Sequence, residues 1–289
     1  MKYAGKVVII TGAGKPSPLA DGSAGSIGYG IAVAFAKEGA NLVITGRNRK
    51  KLEDAKLELE SLYGIRVLAL QADVNAGADN AETVRRVVEE AIRAFGRIDV
   101  LINNAQASAS GISLAEHTTE QFDLALYSGL YSTFYYMQAC YPHLKQTRGS
   151  VINFASGAGF FGNKGQSAYA AAKEGIRGLS RVAATEWGPD GINVNVIAPL
   201  AWTAQLEMFQ NAYPEAFAAN VHMPPMGRFG HAEQDIGRVC VQIASEDYSI
   251  CPEKPSHWKA EWGFGLNIVK SSRKTRLLHF NYIISYFPA

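Results

Sequence analysis

Short β-branched apolar runs alternate along the chain with longer segments whose apolar residues recur every three or four positions. KVVIIT (6–11) reads as a buried strand, and Ile27, Ile31 and Phe35 then carry helical spacing up to Gly39. NLVIT (41–45) is the second strand, and Arg49 to Tyr63 is a charged amphipathic helix ending at Gly64. RVLAL (66–70) is a third strand, followed by a helix over 82–95 and a fourth strand, IDVLIN (98–103). Phe122, Leu126, Leu130, Met137 and Tyr141 mark a long helix at roughly four-residue intervals. SVINFA (150–155), a helix over 167–187 and INVNVI (192–197) complete the alternation. Continuously apolar strands between amphipathic helices require a parallel sheet covered on both faces, with right-handed crossovers. The expected fold is α/β: a single doubly wound parallel sheet with helices on both faces, over 1–248.

The first strand-to-helix connection is TGAGKPSPLADGSAGSIG (11–28). Strand, Gly-containing turn and helix in that order suit a Rossmann dinucleotide site. Glycine lets the backbone approach a pyrophosphate, and the helix N-terminus offers free N–H groups. Gly12 follows the strand, and Gly28 lies in the first helical turn beside Ile27. Ser26 stands where a second glycine is usual and can approach phosphate through its N–H and hydroxyl. Pro16, Pro18 and Gly22 forbid regular structure between them, so the surplus residues are expected to bulge outward. A plain linker reads equally well from this loop alone. The second strand ends Thr45-Gly46-Arg47 with no acid over 45–49. An acid here would hold ribose hydroxyls, whereas Arg47 suits the 2′-phosphate of NADP(H).

Composition narrows the class without naming a chemistry. Of 289 residues 47% are hydrophobic and 19% charged, and the net charge is +2, so neither nucleic acid nor a membrane surface is an expected partner. Three cysteines, Cys140, Cys240 and Cys251, make no paired framework, and the strand-like N-terminus leaves no room for a leader. A reducing, cytoplasmic location is expected. No apolar run is long enough to span a bilayer. The six histidines show no ligand spacing, and no metal is expected.

Tyr169-Ala-Ala-Ala-Lys173 lies on a predicted helix, where a spacing of four puts both side chains on one face. An adjacent ammonium favours tyrosinate by charge. Ser156 follows a predicted strand and can hydrogen-bond a substrate oxygen at the strand's carboxyl end. Tyr and Lys four apart are common by chance; the combination is what carries the inference. TG…SIG, Asp73-Val74, Asn103-Asn104-Ala105, Ser156, Tyr169-x-x-x-Lys173 and Asn195-Val-Ile-Ala-Pro199 occur in the order and on the elements of the short-chain dehydrogenase/reductase family, which the chain resembles. The resemblance implies Tyr169 as general acid/base. It makes Lys173 the residue that lowers the Tyr169 pKa and holds the nicotinamide ribose, and Ser156 the residue that orients the substrate oxygen. It also implies that Asp73 and Val74 lie by adenine, Asn104 and Ala105 by the adenosine ribose, and Pro199 to Thr203 by the nicotinamide amide.

The chain departs from that pattern. The family's catalytic Asn falls at Gly129, leaving water, Ser128, Tyr127 or slow turnover as the options. Gln106 replaces the glycine of NNAG, and either projects an amide toward substrate or packs. Pro199-Leu200 replaces Pro-Gly. The SIGYGIA run (26–32) is similar to divergent enoyl-thioester reductases, but those space Tyr and Lys wider and so fit less well. Residues 249–289 do not match a family ending and read as a basic, apolar tail, with the last strand replaced or missing.

A lid over 200–226 holds Trp202, Leu206, Met208, Phe209, Tyr213, Phe217 and Met223, suiting a bulky hydrophobic substrate if not merely packing. GSIGYGIAVAFAKEGANLVITGRN, INNAQASASGI and YSGLYSTFYYMQACYPHLK look like bacterial NADP-dependent hydroxysteroid dehydrogenases, especially those acting at the 12α-hydroxyl of bile acids. The expected activity is NADP(H)-dependent interconversion of a secondary alcohol and ketone on such a substrate. The alternatives are a reductase of small ketones or 3-oxoacyl thioesters, and a non-catalytic NADP-binding protein. A homo-oligomer, dimer or tetramer, is expected unless the tail prevents it.

Overall fold

The computed structural model describes residues 1–75 and 77–248. Strands β1 (Val7–Thr11), β2 (Asn41–Gly46), β3 (Val67–Gln71), β4 (Val100–Asn103), β5 (Ser150–Phe154) and β6 (Asn193–Ile197) form one sheet. Its order is β3-β2-β1-β4-β5-β6, and every neighbouring pair is parallel. The expected doubly wound fold is therefore what the chain adopts. Strand order reverses between β1 and β4, which opens a crevice at their carboxyl ends, where sheets of this kind take ligands.

The helices are α1 (Ile27–Lys37), α2 (Arg49–Tyr63), α3 (Asn80–Phe95), α4 (Thr119–Ala125), α5 (Ser132–Thr147), α6 (Gly157–Phe161), α7 (Ser167–Trp187), α8 (Ala204–Ala212), α9 (Pro214–Asn220) and α10 (Arg238–Ile243). Alternate residues of β1 feed two cores. Val8 and Ile10 join Phe35 and Leu42 on one face, while Val7 and Ile9 join Val87 and Tyr136 on the other. On the first face α1 approaches the C-terminal helical segment through glycine. A Cβ at Gly30 would lie 2.4 Å from the Ala232 carbonyl carbon, and one at Gly237 would lie 2.7 Å from the Gly30 carbonyl oxygen.

Two sequence expectations need correction. The long helix around Phe122 to Tyr141 is interrupted: a π-helical turn, Leu126–Tyr131, joins α4 to α5. The apolar intervals of four and seven suit an α-helix equally, so the spacing alone does not mark the wider turn. The insertion after β1 does not simply bulge outward. Leu19 is buried, the Gly25 carbonyl accepts a hydrogen bond from Ala204 N at 2.9 Å, and a Cβ at Gly25 would meet Ala204 Cβ at 3.1 Å. The insertion thus docks on the first turn of the lid helix α8. The predicted replacement of the last strand, and the 249–289 tail, fall outside the described residues.

Candidate active site

The turn after β1 is fixed by what surrounds it. Gly12 has φ 72°, a left-handed conformation natural to glycine. The N–H groups of Gly12 and Ala13 donate to the Thr45 carbonyl at 2.9 and 3.0 Å. A Cβ at Gly28 would stand 2.3 Å from the Gly12 carbonyl oxygen and 2.7 Å from Asn104 Nδ2. No other residue fits there, so turn and helix lie close enough to form a phosphate cradle. Ile27 opens α1 in that cradle. Ser26 caps the helix, its hydroxyl accepting from Tyr29 N at 3.3 Å, a role that the sequence reading did not assign.

Asn104 braces this cradle: its side chain donates to the Thr11 carbonyl at 2.9 Å. Thr11 was missed from sequence. Its Oγ1 accepts from the backbone N–H of both Asn104 and Ala105, each at 2.9 Å, and so ties β1 to the segment after β4. Beyond β2, Arg47 is exposed, and its carbonyl accepts from Gln71 Nε2 at 2.8 Å. A cavity of about 360 Å³ lies beside this point, lined by Arg49, Leu52, Glu53, Ala69, Gln71 and Arg86. It opens beside β3, at the edge of the sheet, and Tyr169 is not part of it. Asp73 holds the next turn through Asn75 N at 2.9 Å, and Val74 is buried, with its carbonyl accepting from Asn80 at 3.0 Å.

Ser156, Tyr169 and Lys173 come together at the carboxyl end of β5. Ser156 caps α6, accepting from Ala158 N at 3.2 Å. Tyr169 and Lys173 sit one turn apart near the start of α7, with Lys173 Nζ 5.4 Å from the Tyr169 ring centre. Lys173 is 4% exposed, and its Nζ donates to the Phe154 carbonyl, the last residue of β5, at 2.8 Å. Burial pushes the Lys173 ammonium down to about 7. Burial also raises the Tyr169 phenol, while the Ser156 hydroxyl beside it pulls the other way. The tuning of the phenol is thus set by burial first, with Ser156 opposing it.

A buried chain of polar groups holds these elements together. Asn103 Nδ2 donates to Asn153 Oδ1 at 2.8 Å, and Asn153 Nδ2 donates to Ser180 Oγ at 2.8 Å. It links β4, β5 and α7 beneath the site. The signal in sequence was a buried-strand asparagine on each side, Asn103 closing β4 and Asn153 within β5.

The remaining expected residues lie on the lid side. Pro199 is half-buried after β6, and Thr203 caps α8, accepting from Leu206 N at 3.3 Å. Trp202 joins a cluster of rings, 5.3 Å from Phe229 and 6.0 Å from Phe217, so packing accounts for much of its surface. Met208, Tyr213 and Met223 are 69%, 63% and 60% exposed. Gln106 projects onto Gly129, as described below.

A doubly wound sheet, a glycine cradle at its reversal point and a Ser-Tyr-Lys group beside it define an oxidoreductase of the nicotinamide class. The chain belongs to the short-chain dehydrogenase/reductase family. Residues 22–252 match a family model described as enoyl-(acyl carrier protein) reductase. The chain is 66% identical over 246 residues, 85% of its length and 92% of the relative's, to a 12α-hydroxysteroid dehydrogenase of a Clostridium species. It is 32% identical over 251 residues, 86% and 94% of the two chains, to a 3-oxoacyl-(acyl-carrier-protein) reductase of Thermotoga maritima. A crystal structure of a putative short-chain alcohol dehydrogenase from Sinorhizobium meliloti superposes with a TM-score of 0.74 at 28% identity, covering 86% of this chain and 92% of that one. Family membership implies NAD(P)(H). No helix among the described residues is long and apolar enough to cross a membrane.

Proposed function

We propose that this protein is an NADP(H)-dependent dehydrogenase that interconverts a secondary alcohol and a ketone on a hydroxysteroid, with the 12α-hydroxyl of bile acids favoured. The observation that carries the reading is the 66% identity to a 12α-hydroxysteroid dehydrogenase across the domain, in a chain whose Ser156, Tyr169 and Lys173 gather at the carboxyl end of β5.

The cradle fits a dinucleotide: without a Cβ at Gly12 and Gly28 the turn, α1 and Asn104 close on one another, and α1 presents N–H groups to phosphate. Ile27 and Gly28 would hold the pyrophosphate, Arg47 the 2′-phosphate, Asp73 and Val74 the adenine, Asn104 and Ala105 the adenosine ribose, and Lys173 the nicotinamide ribose. Pro199 and Thr203 would border the nicotinamide amide. Once bound, the dinucleotide supplies the hydride donor or acceptor. Tyr169 transfers the proton at the substrate oxygen. Ser156 hydrogen-bonds that same oxygen and orients it. Lys173, at the end of its short bond to Phe154, fixes the phenol's surroundings and shares in proton exchange.

Trp202 is proposed to face the substrate, with the lid over 200–226 supplying apolar surface, whereas Gln106 turns its amide onto Gly129. Tyr131, Phe134 and Val182 are 42%, 40% and 54% exposed on the outer faces of the π turn, α5 and α7, which supports a homo-oligomer. Cys140 and Cys240 are buried free thiols, which suits a cytoplasmic location. The test is NADPH and NADH oxidation against 12-oxo, 7-oxo and 3-oxo bile acids, simple ketones and acetoacetyl thioesters. Preference for NADPH with a 12-oxo bile acid is expected; preference for the thioester would replace this reading with the 3-oxoacyl reductase.

A further inference from the structure

Gly129 lies buried in the π turn between α4 and α5, at the position where a catalytic side chain was expected. The space above it is filled. A Cβ at Gly129 would meet Gln106 Cδ, Nε2 and Oε1 at 2.6, 2.7 and 2.9 Å. It is the amide of Gln106, not its aliphatic stem, that covers the glycine. The Gln106 backbone is pinned on both sides. Thr11 Oγ1 holds Asn104 N and Ala105 N. Ser128 Oγ accepts from Ala107 N at 3.0 Å and lies 2.9 Å from the Ala107 carbonyl. Ser128 Oγ also reaches the Leu124 carbonyl at 2.5 Å, so this hydroxyl is already committed. Tyr127 stacks on Tyr131, with ring centres 5.0 Å apart. Neither residue replaces the missing side chain.

The Gln106 amide is itself only half satisfied. Nε2 reaches the Ala125 carbonyl at 3.5 Å, and Oε1 is buried with no partner. A buried acceptor left open asks for a functional explanation. The π turn also packs on the catalytic helix: a Cβ at Gly175, two residues past Lys173, would stand 2.8 Å from Leu130 Cδ2.

We infer that Gln106 and Gly129 are a reciprocal exchange, in which Gln106 supplies from the end of β4 the polar side chain that the long helix lacks at 129. It acts as a positioning residue, its open Oε1 accepting an O–H donor in the proton path that serves Tyr169. This rests on the Ser156-Tyr169-Lys173 reading.

The test uses Gln106→Met, Gln106→Ala, Gly129→Asn and the Gln106→Ala/Gly129→Asn double variant. Gln106→Met keeps the volume and removes the amide. It is expected to lower kcat by about tenfold or more, with KM for NADPH and the melting temperature little changed, and to shift the pH profile of kcat. Gly129→Asn is expected to lose both kcat and melting temperature, because its Cβ overlaps Gln106. The double variant is expected to exceed the product of the two single effects, by about tenfold in kcat, with its melting temperature recovered. Full kcat in Gln106→Met would overturn the positioning role. Additive losses in the double variant would overturn the exchange. The parent reading fails separately, on turnover by Tyr169→Phe, whereas the melting temperatures of the four proteins still decide the exchange.

Discussion

Lys173 Nζ donates to the Phe154 carbonyl at 2.8 Å, so the buried cation of α7 is held at the carboxyl end of β5. The site places a charge where the fold does not favour one. Burial brings the folded pKa to about 7, below that of the unfolded chain. Between that value and the ordinary lysine value, the unfolded chain binds more protons, so stability rises with pH across the window, and the penalty is present in full below it. Lys173→Met is expected to abolish turnover yet raise the melting temperature, most at about pH 6 and least near about pH 10. Melting curves across that range check the sign; a gain that does not vary with pH would show that Lys173 does not titrate there.

The Gly12–Gly28 contact makes a second prediction. Gly28→Ala drives a Cβ against a backbone carbonyl, which cannot swing away as a flexible side chain can. Displacing the start of α1 should cost about 1–3 kcal/mol of stability and weaken dinucleotide binding by about tenfold or more. Fluorescence titration with NADPH measures it, and unchanged affinity would remove the cradle from the cofactor site.

Arg47 is exposed, with no ion-pair partner among the described residues. Its backbone is fixed by Gln71, so the side chain is free to meet a 2′-phosphate. Arg47→Asp should move the NADPH/NADH preference in kcat/KM toward NADH by about tenfold or more, through loss of a charge-assisted bond. An unmoved ratio would assign the phosphate to another group.

Asn153 is buried and bonded on both sides, to Asn103 and Ser180. Asn153→Ala would strand the Asn103 amide, whereas Ser180 keeps its bond to the Ile176 carbonyl, and would leave a cavity, at a cost of about 2–4 kcal/mol. Urea unfolding reads this directly; a loss below about 0.5 kcal/mol would show that the network is not what holds β5 to α7.

Much of the fold was legible because local signals and burial agree. The bounds of α2 match the sequence reading since Asn48 caps its start, accepting from Lys51 N, and Gly64 closes it at φ 65°. Tyr169 and Lys173 were legible because helical spacing alone puts them on one face of α7. What stayed hidden depends on contacts between distant segments. The docking of Gly25 on Ala204, the bracing of Ala105 by Thr11, and the filling of the Gly129 space by Gln106 join residues far apart in sequence, and no periodicity announces them. The π turn was not visible, because intervals of four and seven are ordinary for an α-helix. The downward shift of Lys173 was missed because spacing reports that two groups are neighbours but not that the lysine is buried.

The central claim is that the Tyr169 hydroxyl moves the proton while Ser156 orients the substrate oxygen. Steady-state turnover of a 12-oxo bile acid with NADPH by Tyr169→Phe, alongside NADPH binding, tests it most directly. Loss of kcat by ~10²–10⁴ with binding intact is the predicted result. Turnover at the rate of the parent protein would contradict it.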